Sequence, residues 1–396
     1  MTVKITKPEI NVREQLNELK KPTGVAGEAM LRAETVAEQQ ALIGVGRRNL
    51  LINGAMKVAQ RGTSASVTGS AFTYETIDRI KIGRTGTDQL VVTASQATDA
   101  PDGFTYSHKL DVTTAESVIA AGEYYRGVQY YIEGQDLASL AYGTSSAKHI
   151  TISFWVKSSK TGTYAFSLFA DESTDRTYPA SYSVDASGVW EYKSIVIEGD
   201  TTSAITADNS GRLALIWYLM AGSTYTGGSL TGWGNYSSAS DLAKDHNVAW
   251  GTSTDDYWQI TGIQMETGKV ATPFEHRSYG EELALCQRYY YKRDATVVGD
   301  RFFSGNASSA TDFRGFIELP VNMRASPSFE TSGVASHFSV VTGTNGVVTC
   351  NDLLSAGVSV WGGLINAETA SGLTAGHGGQ IRATSTSAYI AFDAEL

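Results

Sequence analysis

Four aromatic residues, Trp233, Tyr236, Trp250 and Tyr257, lie among Gly, Ser and Asn in the stretch from Trp217 to Trp258. Aromatic faces can stack on the apolar faces of sugar rings, while neighbouring polar side chains hydrogen-bond the sugar hydroxyls. The pattern predicts a glycan-binding site at these four residues. The alternative is that the rings cover the ends of a β-sandwich or a subunit interface, because aromatic residues make up 10% of the chain and most must be core.

Acidic side chains offer a second kind of chemistry. Asp171, Glu172 and Asp175 are close in sequence, and Asp255 is followed directly by Asp256. Two carboxylates that flank a sugar could hydrolyse it, whereas loop carboxylates are more often solvated or bind a structural Ca²⁺. We expect no catalytic residues and no cofactor. A structural calcium ion bound by these carboxylates is an open alternative.

The remaining reactive residues are widely separated. The six histidines match neither an HExxH nor an HxH metal-binding pattern. The sequence contains no phosphate-binding loop and no nucleophile elbow. The two cysteines, Cys286 and Cys350, are too few for a disulfide scaffold or a cysteine-based zinc site. The sequence therefore predicts a protein that is not an enzyme and has no dedicated metal site.

The overall charge restricts the partners. The chain has 31 Lys and Arg against 41 Asp and Glu, a formal net charge of −10. This argues against nucleic acid as a partner, because phosphate binding needs clustered basic residues. No apolar run approaches the length of about 18 residues that a membrane span needs, so we expect no membrane insertion. Residues 1–8 lack the apolar stretch of a secretion signal, so we expect a protein made in a cytosol that leaves, if at all, by a route such as cell lysis.

The N-terminal segment, residues 1–48, differs from the rest of the chain. It contains no aromatic residue, and eight Lys and Arg against six Glu give it a formal charge of +2. Two short capped helices are predicted, with apolar side chains on one face of each. These side chains are Val12, Leu16 and Leu19, then Leu42 and Ile43. Helices shorter than about 12–15 residues are marginal alone in water, so we favour a docking arm that folds on a partner over a flexible tail.

The following segment, residues 49–277, has the alternation of β-strands, with turns of Gly, Ser, Asp and Asn between them. Many short strands without intervening helical periods are typical of an antiparallel jelly-roll sandwich. Trp155, Trp190 and Trp217 lie within strand-like runs and are predicted to be core.

A connecting helix is predicted over 278–294, with Ser278 as its cap and an apolar stripe of Leu283, Cys286 and Tyr290. Residues 295–396 contain short strands and are predicted to form a second, small β-sandwich. The fold class is therefore mainly β: a short helical N-terminal arm, an antiparallel jelly-roll β-sandwich, a connecting helix and a second small β-sandwich domain.

Several segments of the sequence resemble those of a known protein family. They are Asn-Leu-Leu-Ile-Asn-Gly-Ala-Met-Lys-Val-Ala-Gln-Arg-Gly (49–62), the run from Ile263 to Tyr290, and Leu-Pro-Val-Asn-Met-Arg-Ala-Ser-Pro (319–327). The chain resembles a tail-fibre-like family of bacteriophage virion proteins, common in phages of marine bacteria and cyanobacteria. The opening and closing phrases of its central domain resemble those of jelly-roll carbohydrate-binding modules, and the N-terminal arm is similar to the virion-attachment end of such fibres.

The resemblance implies a homotrimer that is a structural part of the virion. Its N-terminal arm would contact tail adaptor, nozzle or capsid proteins, and the β domains would adsorb to host-surface polysaccharide. Packing of three connecting helices through Leu283, Cys286 and Tyr290 would support the trimer. Such a protein would be made in the host cytoplasm and reside on the phage tail. The alternatives are a capsid (head) fibre or decoration protein and, second, a glycan-degrading tailspike.

Overall fold

A computed structural model of the chain describes residues 48–86, 89–343 and 346–396. The chain divides between Arg48 and Asn49 into two units, and all but one of the described residues belong to the second. The predicted docking residues Val12, Leu16, Leu19, Leu42 and Ile43 lie outside the described residues. In the described part of the chain, no helix is both long and apolar enough to cross a membrane.

The described residues from Asn49 to Thr267 form two antiparallel sheets packed face to face. In chain order the strands are β1 (Ser64–Val67), β2 (Thr73–Tyr74), β3 (Lys81–Thr85), β4 (Val91–Ala97), β5 (Ser107–Thr114), β6 (Tyr124–Glu133), β7 (Ile150–Ser158), β8 (Gly162–Ala170), β9 (Arg176–Val184), β10 (Glu191–Ile197), β11 (Gly211–Ala221), β12 (Gly234–Asn235) and β13 (Tyr257–Thr267). The first sheet has the order β1-β4-β5-β13-β7-β10, and the second has the order β12-β9-β8-β11-β6-β3-β2. Strands close in sequence therefore alternate between the two sheets, as in a jelly roll.

The sandwich core forms where the apolar sides of the two sheets meet. Trp217 of β11 is fully buried, with its ring centroid 5.5 Å from that of Phe154 on the facing sheet and 4.7 Å from that of Phe166 on β8. In β11, Leu213, Leu215, Trp217 and Leu219 belong to this core cluster, which follows the two-residue period of a strand. The intervening residues of β11 belong to the opposite face of the sheet.

The C-terminal part of the chain begins with a short helix, α2 (Tyr279–Gln287), the helix α1 (Ser223–Thr226) lying earlier in the sandwich. The strands that follow are β14 (Tyr290–Asp294), β15 (Arg301–Ala307), β16 (Asp312–Glu318), β17 (Ser328–Thr331), β18 (Phe338–Thr342), β19 (Gly346–Ser359), β20 (Gly362–Thr369), β21 (Gly378–Ala383) and β22 (Tyr389–Asp393). The described strands β15-β16-β20-β19-β18-β21 close into a barrel, and β14-β22-β17 form a three-stranded sheet. The predicted mainly β, antiparallel fold class is confirmed, and the strands predicted as a second small sandwich close into this barrel.

The connecting helix is shorter than predicted. Helix α2 begins after the cap Ser278, whose hydroxyl accepts from the Glu281 N–H, and ends at Gln287. Tyr290 is instead the first residue of β14, which pairs with β22. The stripe of Leu283, Cys286 and Tyr290 is therefore not a single helix face.

These residues are also largely enclosed within the chain. Cys286 packs with Ile52, Val58 and Tyr289, and Tyr290 is buried beneath Arg61, whose guanidinium carbon lies 3.6 Å from the ring centroid. The Cys286 and Tyr290 side chains are thus covered by their own chain and are not available for the predicted trimer contact. Leu283 remains partly buried at the edge of the same cluster.

A buried set of charges joins the sandwich to the C-terminal residues of the same compact unit. Arg79 is 1% exposed and forms an ion pair with Glu395, whose side chain is 4% exposed. Its guanidinium carbon lies 3.5 Å from the centroid of the Tyr289 ring. Burial by itself lowers the pKa of Arg79, but the negative Glu395 and the surrounding tyrosines outweigh it and raise the pKa. Arg79 therefore stays charged, and its charge is compensated from the other domain.

Two further charged contacts extend this junction. Arg61 lies 2.7 Å from an Asp393 carboxylate oxygen and 3.4 Å from one of Glu395. The buried Glu133 accepts from Arg288 at 2.8 Å and from the Tyr289 hydroxyl at 2.6 Å. Glu133 is fully buried and Arg61 nearly so, and each has a charge partner among the C-terminal residues.

Glu395→Ala should destabilise the protein strongly, because it leaves the Arg79 charge buried without its carboxylate partner. We expect the free energy of unfolding to fall by about 3–5 kcal/mol, the typical cost of breaking a buried pair. Urea-induced unfolding followed by tryptophan fluorescence would measure this loss. The control Glu318→Ala removes an exposed carboxylate and should change stability little. A loss of less than about 1 kcal/mol for Glu395→Ala, as for a surface pair, would contradict the role of this ion pair.

Candidate functional site

The four aromatic residues predicted to bind glycan do not form one site. Trp250 is 0% exposed and lies in the sandwich core, 5.4 Å from the ring centroid of Tyr125. Tyr257 begins β13 in the other sheet and lies beneath Lys109, whose ammonium is 5.5 Å from the ring centroid. The prediction is wrong for Trp250, since a ring enclosed in the core cannot stack on a ligand.

Trp233 and Tyr236 lie on either side of the short strand β12, and their side chains pack against different parts of the sandwich. The Trp233 indole N–H donates to the Glu198 carbonyl at 2.8 Å, and its ring meets Tyr178 edge to face at 5.6 Å. Trp233 thus covers the edge of the sandwich core. Tyr236 is 37% exposed and packs on Phe169, with ring centroids 5.3 Å apart. Of the four predicted residues, Tyr236 lines the pocket described next.

The pocket lies on the outer face of the second sheet and has a volume of about 400 Å³. We call it the outer-face pocket. Its floor comes from β6, β8 and β11, and the segment that follows β11 forms one wall. The lining residues are Thr85, Tyr124, Arg126, Gln129, Tyr131, Phe169, Ala214, Ile216, Tyr225, Tyr236, Ala239 and Leu242. Five aromatic rings and three polar side chains thus face one cavity, a composition typical of small-ligand sites.

An irregularity in β6 places two of the polar side chains together. Trp217 pairs with Val128, but the next residue of β11, Tyr218, pairs with Arg126, so Gly127 is an additional residue in β6. Residues three apart in a regular strand point to opposite faces, whereas this β-bulge brings Arg126 and Gln129 to the same face. A side chain at Gly127 would meet Leu219 at 2.7 Å, so glycine fits the bulge.

Arg126, Gln129 and Tyr131 form a chain of hydrogen bonds along the pocket. The Arg126 Nη1 donates to Gln129 Oε1 at 3.1 Å, and Gln129 Nε2 donates to the Tyr131 hydroxyl at 2.6 Å. Burial raises the pKa of Tyr131, against the lowering effect of the positive Arg126. The neutral phenol therefore keeps its O–H, which can donate to a ligand.

The Arg126 guanidinium is surrounded by aromatic rings. Its Cζ lies 4.8 Å from the ring centroid of Tyr124, 5.0 Å from that of Phe72 and 5.5 Å from that of Tyr218. These distances are within the range of cation–π contacts. Burial alone lowers the pKa of Arg126, but the neighbouring tyrosines more than offset this and the pKa is raised. The pocket therefore contains a permanent positive charge.

The wall of the pocket is held on the sheet by local contacts. The Ala243 N–H donates to the Tyr225 carbonyl at 3.0 Å, and Leu242 and Ala243 pack on the outer face of the sheet. The Tyr225 ring meets Tyr124 edge to face, with centroids 4.8 Å apart. His246 accepts the Ala165 N–H on Nδ1 at 3.2 Å, and its Nε2 lies 3.0 Å from the Val248 carbonyl. This histidine fixes the end of the wall to β8.

The acidic residues considered from sequence lie outside the pocket. Glu172 accepts the N–H and hydroxyl of Thr206 at 2.7 and 2.8 Å, and the buried Asp256 accepts the N–H groups of Gly251 and Ser253. The Asp175 carbonyl accepts the Tyr236 N–H at 2.8 Å, which supports the strand that carries this tyrosine. These contacts organise loops. Among the described residues, no group of three or more His, Cys, Asp or Glu is arranged to hold a metal ion.

Sequence reasoning missed most of the pocket. Tyr124, Arg126, Gln129 and Tyr131 lie in one strand, and the signal there was the isolated Gly127 within an apolar and aromatic run, which suggests a bulge. Trp155 and Trp190, predicted to be core, are only partly buried. Trp155 packs on Tyr192, which is 46% exposed, with centroids 5.4 Å apart on the outer face of the first sheet. The alternation of apolar and polar residues located these strands, but it did not show which face of each strand packs in the core.

The stability of the protein should depend on pH through His246. Burial lowers its pKa to about 4 from 6.5. The folded pKa is below the unfolded one, so the stabilisation present above pH 6.5 is lost as pH falls toward 4, by about 3 kcal/mol for this one residue. The buried His108, whose pKa is also lowered to about 4, adds a loss of the same sign. Urea-induced unfolding between pH 4 and 7 would measure the combined slope.

The variant His246→Gln isolates one of these contributions, because glutamine can accept and donate in place of the imidazole without titrating. We expect this variant to lose about 3 kcal/mol less than the original protein between pH 7 and pH 4. Identical slopes for His246→Gln and the unaltered protein would contradict a neutral, buried His246.

No protein-family model matches the chain, and no curated protein matches it significantly. Solved structures that align with it include the enzymatically active domain of tailspike protein 4 of bacteriophage CBA120, at 13% identity and a TM-score of 0.30, over 56% of this chain and 21% of that one. They also include a family 11 carbohydrate-binding module from Clostridium thermocellum, at 12% identity and a TM-score of 0.26, over 48% of this chain and 91% of that one. The chain thus spans about a fifth of the length of the tailspike structure. At these TM-scores the likeness assigns no function to the chain.

Proposed function

We propose that the protein binds a glycan through the outer-face pocket. The observation that carries this proposal is the pocket itself, in which Tyr124, Tyr131, Phe169, Tyr225 and Tyr236 surround a chain of polar side chains. Its volume of about 400 Å³ falls within the range of small-ligand sites, roughly 300–1,000 Å³.

The two kinds of lining residue suit the two kinds of surface on a sugar. The aromatic rings offer apolar faces to the C–H groups of the ring. The Gln129 amide, the Tyr131 hydroxyl and the Thr85 hydroxyl can exchange hydrogen bonds with sugar hydroxyls. Because Arg126 and Gln129 already bond each other, the polar groups are held in place before a ligand arrives.

The lining favours binding without hydrolysis. Glycoside hydrolysis commonly uses a pair of Asp or Glu side chains placed on either side of the scissile bond. In the described part of the chain, the lining of this pocket carries no Asp, Glu or His. We therefore propose a binding protein rather than an enzyme, with the glycan-degrading tailspike as the second alternative.

For the biological setting we propose a bacteriophage tail fibre, a homotrimeric structural component of the virion that adsorbs to host-surface polysaccharide. The support is the resemblance of residues 49–62, 263–290 and 319–327 to the tail-fibre-like family. Residues 1–48, basic and without aromatic residues, would attach the fibre to tail adaptor, nozzle or capsid proteins. The first alternative is a capsid (head) fibre or decoration protein, which would use the same arm on a different part of the particle.

Tyr225→Ala should weaken glycan binding at least tenfold, because it removes a ring of the pocket wall. Tyr236→Ala should also weaken it, because that ring lines the same pocket. The measurement is binding of the full-length protein to an array of bacterial surface polysaccharides with neutral and acidic sugars. Tyr192→Ala, on the outer face of the first sheet, is the control and should bind normally.

Two outcomes would contradict this assignment. Unchanged binding by Tyr225→Ala and Tyr236→Ala, together with loss of binding by Tyr192→Ala, would place the site on the first sheet. Release of reducing ends from a bound polysaccharide during incubation would support the tailspike alternative and would overturn the proposal of binding without hydrolysis.

Deletion of residues 1–47 should abolish incorporation into phage particles. The chain divides between Arg48 and Asn49, so we expect the remaining residues to fold without the arm. Immunoblotting of purified particles would measure incorporation, and circular dichroism of the truncated protein would verify its fold. Electron microscopy of antibody-labelled particles that carry the full chain should place the label on the tail. Label on the head would instead support the capsid alternative, and normal incorporation of the truncated chain would contradict the docking role.

A further inference from the structure

The charge of Arg126 points to a more specific ligand, an inference that rests on the proposed glycan function. Among the described residues, three of the fully buried arginines meet a buried carboxylate: Arg79 pairs with Glu395, Arg176 with Asp200, and Arg277 with Glu282. Arg84 donates to the main-chain carbonyls of Thr68 and Gly69. A compensating acceptor is therefore the usual condition for burying a guanidinium in this protein, as it is in proteins generally.

Arg126 is half-buried in the lining of the pocket and lacks such a carboxylate. Among the described residues, no carboxylate lies within ion-pair distance of its guanidinium, and its bonded acceptor is the neutral amide oxygen of Gln129. The Nε atom is enclosed and has no hydrogen-bond acceptor in the described part of the chain. The guanidinium carries five N–H groups, so it retains donors beyond the one used by Gln129. The positive charge is thus only partly compensated, by the faces of Phe72, Tyr124 and Tyr218.

The described residues that line the pocket include no carboxylate that could supply the missing negative charge. Lys81 lies beside the same wall, with its ammonium 5.5 Å from the Tyr131 ring centroid. Burial lowers the pKa of Lys81 most, the negative Glu395 raises it, and the positive Arg126 lowers it further. The negative Asp171 raises the pKa of Tyr131, but Asp171 is not among the pocket-lining residues. Among the described residues that line the pocket, the one formal charge is therefore the positive charge of Arg126.

We propose that the outer-face pocket binds an acidic sugar and that Arg126 contacts its carboxylate. A planar guanidinium and a carboxylate can form two parallel charge-assisted hydrogen bonds, which are stronger than bonds between neutral groups. The aromatic rings would hold the sugar ring while Arg126 binds the acidic substituent. The ligand class is then a polysaccharide that contains uronic acid residues. A neutral glycan with the same sugar backbone should bind much more weakly.

The test compares acidic polysaccharides with their own neutral derivatives. Polygalacturonate, alginate and hyaluronan are each used intact and after chemical reduction of the carboxylates to primary alcohols, and binding of the full-length protein is measured by titration calorimetry. The original protein should bind at least one intact polysaccharide at least tenfold more tightly than its reduced form. Because the contact is an ion pair, this preference should decrease as the salt concentration rises.

The variants assign the preference to Arg126. Arg126→Gln should bind the intact and reduced forms with similar affinity, and Arg126→Lys should keep part of the preference, since it retains the charge without the planar fork. Tyr225→Ala is the matched pocket variant and should weaken both forms by a similar factor. Thermal unfolding of each variant would verify that the fold is intact.

The outcomes separate this inference from the proposed function. Equal binding of intact and reduced polysaccharides by the original protein, or a preference unchanged in a folded Arg126→Gln or Arg126→Lys variant, would overturn the acidic-sugar inference. Glycan binding that still depends on Tyr225 in that case would leave the proposed function standing. Failure of the original protein to bind any of these polysaccharides, in either form, would overturn the inference, while the array of bacterial polysaccharides would decide the proposed function separately.

Discussion

The burial of arginine charge is the constraint on which the junction of the two domains depends. A guanidinium removed from water is stabilised by a negative partner and by the faces of aromatic rings. Arg79 has the Tyr289 ring at 3.5 Å and the Glu395 carboxylate, and Arg61 has the Tyr290 ring at 3.6 Å and the Asp393 carboxylate at 2.7 Å. In both cases the arginine comes from the sandwich, and the ring and the acid come from the C-terminal residues. The buried arginine charges of the sandwich are therefore neutralised by carboxylates of the C-terminal residues.

The same junction is connected to the pocket through β6. Arg79 donates from Nη2 to the Tyr131 carbonyl at 2.6 Å, and the side chain of Tyr131 lines the outer-face pocket. Two residues further on, Glu133 accepts from Arg288 and Tyr289. Strand β6 is thus fixed at one end by the C-terminal domain and carries the pocket's polar side chains along its length. The positions of Arg126, Gln129 and Tyr131 consequently rest on contacts made by residues far away in sequence.

The sequence was sufficient for the fold class because the strands alternate regularly. In β11 and β8 the two-residue period distinguishes core residues such as Trp217 and Phe166 from those on the outer face. The pocket was not predictable in the same way, because the bulge at Gly127 changes the period inside β6. Trp233, Tyr236 and Trp250 occupy similar Gly- and Ser-rich sequence, and their different exposures are set by the tertiary path of loops. The ion pair between Arg79 and Glu395 joins residues 316 apart, a separation at which no local pattern gives a signal.

The distance in sequence between the paired charges also has a consequence for biosynthesis. Asp393 and Glu395 are synthesised more than 300 residues after Arg61 and Arg79. At about 5–20 residues per second, that interval lasts roughly 15–60 s. During this time the nascent sandwich carries two arginines without their acids and the ring of Tyr289 is also absent for most of the interval. We therefore expect the sandwich to complete its folding only when β22 and the residues after it dock. Until then it would be exposed to chaperones.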